Sequence, residues 1–265
     1  VRVLPGQFAA EVERSRAVVA RAQALLLDRT YKRDKEGQFA ATTGGKDVRE
    51  ALAGHETAEA VGTAAAAEAK RITGRDIDFD LAGSDPQIAA EHAEGILRGL
   101  ERFPTTGLKA VRHGTDPEAE QREVFAVTSR DGGTITFTAN AQKYGAAGYR
   151  AELKQARAEH AISAATATPI GVALHEFGHS VANSHGANDP ALNAGYRHAE
   201  GKKAGVSTTI QTDLGRYATS ADREMVAEGF AQSMVKGDKA SGTAKAIMAG
   251  MEEFISSGQR GHVGG

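Results

Sequence analysis

Aromatic rings are scarce in this chain: nine Phe, five Tyr and no Trp in 265 residues, against 31 Gly and abundant Ala. A core without large ring anchors reaches native packing density through close contacts between small residues, and packed helices supply that closeness. Helix is therefore expected to dominate. The chain contains no cysteine, which excludes disulfides and thiolate metal sites, so any metal must be held by His, Asp or Glu. Its formal net charge of −2, with neither sign in a long block, gives no electrostatic footprint for nucleic acid or for an anionic membrane. No apolar stretch approaches the ~18 residues of a membrane span. Residues 1–10 lack the charged-then-apolar layout of a signal peptide. The expected location is cytoplasmic, virion-associated, or reached by a non-classical delivery route.

Apolar spacing divides the chain into two textures. Over 5–28, Phe8, Val12, Val19, Ala22 and Leu26 recur at helical intervals, and 30–46 is a polar connector ending Thr-Thr-Gly-Gly-Lys. An Ala-rich helix is expected over 47–73, stopped by Gly74. A soft boundary there gives a helical N-terminal region, 1–75, and a second domain, 76–265. In the second domain, strands are expected at 76–81, 108–113, 123–128 and 134–138, with the last two forming a hairpin across Arg130-Asp-Gly-Gly133. Pro86 opens a helix to about Arg102, and helices are expected over 168–185, 219–236 and 239–256. The segment 187–213 has the composition of a loop or lid. A small sheet followed by helices is an α+β, helix-rich arrangement. No internal repeat is present, and neither a nucleotide-binding Gly-rich loop nor a Gly-x-Ser-x-Gly elbow occurs.

The most informative residues are His175-Glu-Phe-Gly-His179. At 3.6 residues per turn, positions i and i+4 share a helix face, so two imidazoles can grip one ion. Glu176 stands one residue on, where it can reach a water on that ion without itself being a ligand. Thr168 as N-cap, Pro169 as first helical residue, an apolar series at Ile170, Leu174, Phe177 and Val181, and Gly186 as terminator all place the motif on a helix. With nine His in the chain, the motif alone is suggestive, and a third ligand is needed to decide.

Catalytic zinc takes three protein ligands and keeps one position for water. His185 lies ten residues after His175, the metzincin interval, but Ala182 occupies the place of the Gly that would break the helix, and no Met-turn follows. Glu224 is the better candidate. Thr219 and Asp222 have capping-box spacing, and the helix they would open carries Glu224 and Glu228 one turn apart, with Val226, Phe230 and Met234 on another face. Two such carboxylates suit a division of labour, Glu224 on the metal and Glu228 accepting a hydrogen bond from a ligating imidazole. His113, His160 and His198 have no spacing that recommends them.

With these residues in place, the sequence resembles the gluzincin peptidases of the anthrax lethal factor type, a family that includes bacterial Pro-Pro endopeptidases. The likeness rests on His-Glu-Phe-Gly-His at 175–179, on Tyr217 seven residues before Glu224, and on E-x-x-A-E-x-F at 224–230. The interval of 38 residues from His179 to Tyr217 is also similar to that of the lethal-factor branch. The resemblance covers roughly 134–236, extending to the helix before Ser256, and 1–75 have no counterpart in it. It implies a zincin-like fold with active-site helices, Zn2+ as cofactor, and a role for Tyr217 in donating a hydrogen bond to the tetrahedral intermediate. Chemistry alone says no more than that Tyr217 can serve as an electrophile. A fainter resemblance links Tyr31-Lys-Arg-Asp-Lys-Glu-Gly-Gln-Phe39 to bacteriophage head- and portal-associated proteins, some of which carry toxin-like C-terminal domains.

The expected activity is zinc-dependent endopeptidase hydrolysis, with His175, His179 and Glu224 as ligands and Glu176 as general base, in a toxin, effector or phage-associated protease acting on protein or peptide. Thr134, Ile135, Thr136, Phe137 and Thr138 are expected to form an edge strand that pairs with extended substrate. Virion or delivery components are candidate partners. The competing reading is a virion structural protein whose zinc site does no hydrolysis, and the intact Glu176 argues against it. A zinc hydrolase acting on a non-protein amide is a third reading, separable by pocket shape.

Overall fold

The computed structural model describes residues 44–115, 124–139, 142–143 and 145–258. The helix expected over 5–28, almost all of the connector at 30–46 and the phage-like motif lie outside the described residues. The chain forms α1 (Gly44–Leu52), α2 (Ala58–Thr73), β1 (Asp78–Asp80), α3 (Pro86–Arg102), β2 (Ala110–Gly114), β3 (Ala126–Thr128) and β4 (Thr134–Thr138). Then come α4 (Gly145–Ala158), α5 (Pro169–His185), α6 (Asn188–Glu200), α7 (Val206–Leu214), a 3-10 turn (Tyr217–Thr219), α8 (Asp222–Lys236), a second 3-10 turn (Gly237–Lys239) and α9 (Gly242–Ser256). The described residues are helix-rich with one small four-stranded sheet, compatible with the α+β arrangement expected from the sequence. None of its described helices is long and apolar enough to cross a membrane.

The strands lie in the order β1-β2-β4-β3. β1, β2 and β4 run parallel, with Phe79 opposite Val111 and Val111 opposite Ile135. β3 returns antiparallel to β4, with Thr128 opposite Ile135, so the expected hairpin is formed. Phe79, Val111, Ile135 and Phe137 are buried. This topology corrects one expectation. β4 is paired on both sides, so residues 134–138 offer no free backbone edge, and the outer position beside β4 belongs to β3. β4 pairs in parallel with β2 although β3 intervenes in the chain, a non-local pairing that no local pattern in 134–138 announces.

Three further expectations are revised. The single helix over 47–73 is two helices, because Gly54 takes a left-handed φ of 77° and Thr57 caps a new helix by accepting from the Ala60 N–H. The segment 187–213 is two helices rather than a lid. The buried residues of α6 are Ala191, Gly195 and Ala199, a small-residue stripe that packs without any large apolar signal. Gly74 does not separate two cores: Val61 and Ala65 before it and Ile77 and Phe79 after it join one hydrophobic cluster, and the compact unit begins at Thr43.

Glycine contacts seat the helix that carries His175. A Cβ on Gly99 of α3 would stand 2.4 Å from Cδ1 of Phe177, so only Gly lets α3 and α5 approach this closely. On the other side, a Cβ on Gly178 would meet the Cβ and ring of Phe230 at 3.0–3.2 Å, which sets α8 against α5. α5 is accordingly buried along most of its length, from Gly171 to Ala182.

Candidate metal centre

α5 starts and stops as its sequence indicates. Thr168 accepts from the Gly171 N–H at 3.0 Å, Pro169 follows, and Gly186 ends the helix in a left-handed conformation at φ 68°. One turn of this helix separates His175 from His179, and their rings stand nearly perpendicular with centroids 4.9 Å apart. α8, pressed against α5, brings Glu224 to the same point. Its Oε2 lies 3.2 Å from Nε2 of His175 and 3.2 Å from Nε2 of His179. These three buried residues offer ligand atoms within 4.8 Å of one another, and they form the group among the described residues able to hold a metal ion.

A second ring of contacts fixes the first. Nδ1 of His175 faces Oε1 of Glu228 at 3.4 Å, and Oε2 of Glu228 accepts from the Thr166 hydroxyl at 3.0 Å. The Nε–H of Arg223 donates to Oε1 of Glu224 at 3.0 Å, leaving Oε2 to the histidines. Glu176 is buried beside the cluster, and its Oε2 accepts from the Thr128 hydroxyl at 2.6 Å.

The electrostatics favour a positive charge at this point. Burial opposes protonation of His175, but hydrogen bonds to Glu224 and Glu228, with the charges of Glu228 and Glu176, outweigh it and push its pKa up to about 10. Burial likewise raises the cost of a charged Glu224, yet its contacts with His175 and His179 hold it well below the usual carboxylate range. A cation placed among these groups meets the same stabilising carboxylates.

Tyr217 opens the 3-10 turn before α8. Its backbone N–H donates to the Ala161 carbonyl at 2.9 Å, and its ring centroid stands 5.9 Å from that of His175. Burial, then the charges of Glu224 and Glu176, raise its pKa above that of a free phenol, so the hydroxyl keeps its proton and can donate. At 39% exposure, Tyr217 remains open to a ligand. The capping box expected from Thr219 and Asp222 is not formed. The Thr219 hydroxyl donates to the Arg216 carbonyl within the turn, Asp222 accepts from the Tyr196 hydroxyl, and Ala221 is the N-cap with no side-chain bond.

The structure thus brings together His175, Glu176, His179, Glu224, Glu228 and Tyr217. His185 is not among them: it sits half-buried at the end of α5, where burial and the charge of Arg75 lower its pKa. His113 contacts the Ala82 carbonyl, and His198 lines a separate cleft of about 310 Å³ with Lys202, Thr209 and Asp213. Sequence reasoning missed Thr128, Thr166 and Arg223. Only Arg223 carried a signal, its adjacency to Glu224, because the other two reach the site through pairings distant in sequence. No protein-family model, curated protein or solved structure matches this chain.

Proposed function

We propose that the chain is a zinc-dependent endopeptidase, a zincin-like gluzincin of the kind its motifs resemble. The observation that carries this reading is the convergence of two imidazole Nε2 atoms on one carboxylate oxygen at 3.2 Å, with Glu176 held beside them. Nitrogen and oxygen ligands at ~2.0–2.1 Å from a tetrahedral ion stand about 3.3–3.4 Å apart. The spacing therefore suits zinc, and a donor set of two His and one Glu, with no thiolate, is one that catalytic zinc uses. His175, His179 and Glu224 would hold the ion, and Glu228 would keep the His175 ring in the tautomer that presents Nε2.

When bound, zinc supplies a water acidified toward a pKa of ~7 and a Lewis acid for the peptide carbonyl. Glu176 would serve as general base and then acid, taking a proton from the attacking water and giving it to the departing amine nitrogen as the C–N bond breaks. Tyr217 donates a hydrogen bond to the oxygen that gains negative charge. An extended peptide would add to the sheet at β3, the outer strand beside α5, by main-chain pairing.

The experiment is a peptide library incubated with the zinc-loaded protein and read by mass spectrometry. Cleavage is expected at defined positions, lost with a chelator, restored by zinc and absent from Glu176→Gln. Undiminished cleavage in Glu176→Gln would refute the mechanism.

A further inference from the structure

Thr128 is the last residue of β3, but its side chain belongs to the chemistry of α5. Its Oγ1 lies 2.6 Å from Oε2 of Glu176 and 3.0 Å from the main-chain oxygen of the same residue. A hydroxyl has one proton to donate. The main-chain oxygen of Glu176 also faces the Ser180 N–H in the regular helix pattern. The carboxylate is charged and closer, so the proton goes to Oε2 in a charge-assisted hydrogen bond.

The contact matters because Glu176 has little else to hold it. Among the described residues, Thr128 is the side chain that hydrogen-bonds its carboxylate, and Oε1 takes no hydrogen bond from any side chain. A Glu side chain free to sample its rotamers spends much of its time away from a reactive geometry, and holding it costs side-chain entropy. The fold has met that cost before substrate arrives. Thr128 is also fixed in its own right, since β3 pairs with β4 through Thr128 and Ile135.

We propose that Thr128 is the positioning residue of the general base: it pins Oε2, leaves Oε1 as the atom that exchanges the proton, and ties the base to the outer strand of the sheet. This rests on Glu176 being the base, as argued above. A peptide that pairs with β3 is then placed in register with the carboxylate by the same strand that holds the carboxylate still.

Thr128→Val removes the hydroxyl while keeping the shape, and Thr128→Ser restores it. With zinc bound, Thr128→Val should lower kcat by about 10- to 100-fold, the range for a group acting through a catalytic one, with KM and zinc affinity within about twofold of wild type. Thr128→Ser should recover most of the loss. A readout without turnover comes from urea unfolding in chelator, where Thr128→Val and Glu176→Met should be non-additive because each removes one partner of the same hydrogen bond. Additive effects there would overturn the contact. An unchanged kcat in Thr128→Val would reduce Thr128 to a strand-to-helix tie and overturn the positioning role. Failure of the peptidase reading looks different: wild-type protein itself would cut nothing, and the proposal would fall with it.

Discussion

Nδ1 of His175 stands 3.4 Å from Oε1 of Glu228, while the other ring nitrogen of His175 meets Glu224. Glu228 is in turn held by the Thr166 hydroxyl, itself 3.2 Å from the hydroxyl of Ser163. The imidazole is therefore oriented from behind by a buried carboxylate that is braced from outside α8. Partners of this kind typically contribute 10- to 100-fold to metal affinity or activity. Glu228→Ala should weaken zinc binding by about that factor, and Thr166→Val by less, because Thr166 acts one contact further out. Competition with a chelator measures both.

Glu176 is not a ligand in this geometry, so Glu176→Gln should leave zinc content near that of wild type. Turnover should fall by ~10² to 10⁴, the usual contribution of a general base. Metal analysis beside a cleavage assay separates the two effects. Loss of zinc in this variant would mean that Glu176 supports the metal rather than the proton transfer.

Tyr217→Phe should preserve fold and zinc and weaken catalysis by ~2.7–4 kcal/mol, the typical loss for one oxyanion donor. The Tyr217 ring centroid stands 5.9 Å from that of His175, and burial, then the charges of Glu224 and Glu176, raise the phenol's pKa further above neutrality. The effect should appear in kcat. A drop in zinc occupancy would point instead to a structural role.

Acid stability should depend on His92. This residue stacks on Phe137 with ring centroids 3.7 Å apart, and its Nε2 lies 3.1 Å from the Tyr149 hydroxyl. Burial, with the charge of His113 adding to it, holds its pKa down at about 3. The unfolded chain titrates near ~6.5. Between these values the unfolded state binds a proton that the folded state refuses. Stability is thus full above about 6.5 and is lost as pH falls toward 3. As pH falls from 8 to 4, urea midpoints should decline less steeply in His92→Gln than in wild type, and equal slopes would remove His92 from the explanation.

Much of the site was legible because its signals are local. Thr168, Pro169 and Gly186 bracket α5 in the sequence, and helical period alone puts His175 and His179 on one face with Glu176 beside them. Glu224 and Glu228 could be chosen because one turn separates them. What stayed hidden depends on pairing. Thr128 reaches Glu176 across 48 residues, and Thr166 reaches Glu228 across 62. The place of β4 inside the sheet follows from its pairing with β2, more than 20 residues earlier in the chain, as well as with β3. α6 escaped notice for a different reason: Ala191, Gly195 and Ala199 bury a helix face with side chains too small to show periodicity. The Thr219 and Asp222 spacing misled because the chain spends Thr219 in a 3-10 turn before α8 begins.

The central assignment is that His175, His179 and Glu224 together hold zinc. The most direct measurement is zinc titration against a competing chelator, made on wild type, Glu224→Ala and His185→Ala in parallel. Wild type should bind about one zinc per chain. Glu224→Ala should lose most of its affinity, because Oε2 of Glu224 is the oxygen that meets both Nε2 atoms at 3.2 Å. His185→Ala should bind as wild type does, since His185 lies outside the ligand group. A wild-type protein that binds no zinc, or a His185→Ala variant that loses it while Glu224→Ala keeps it, would contradict the assignment.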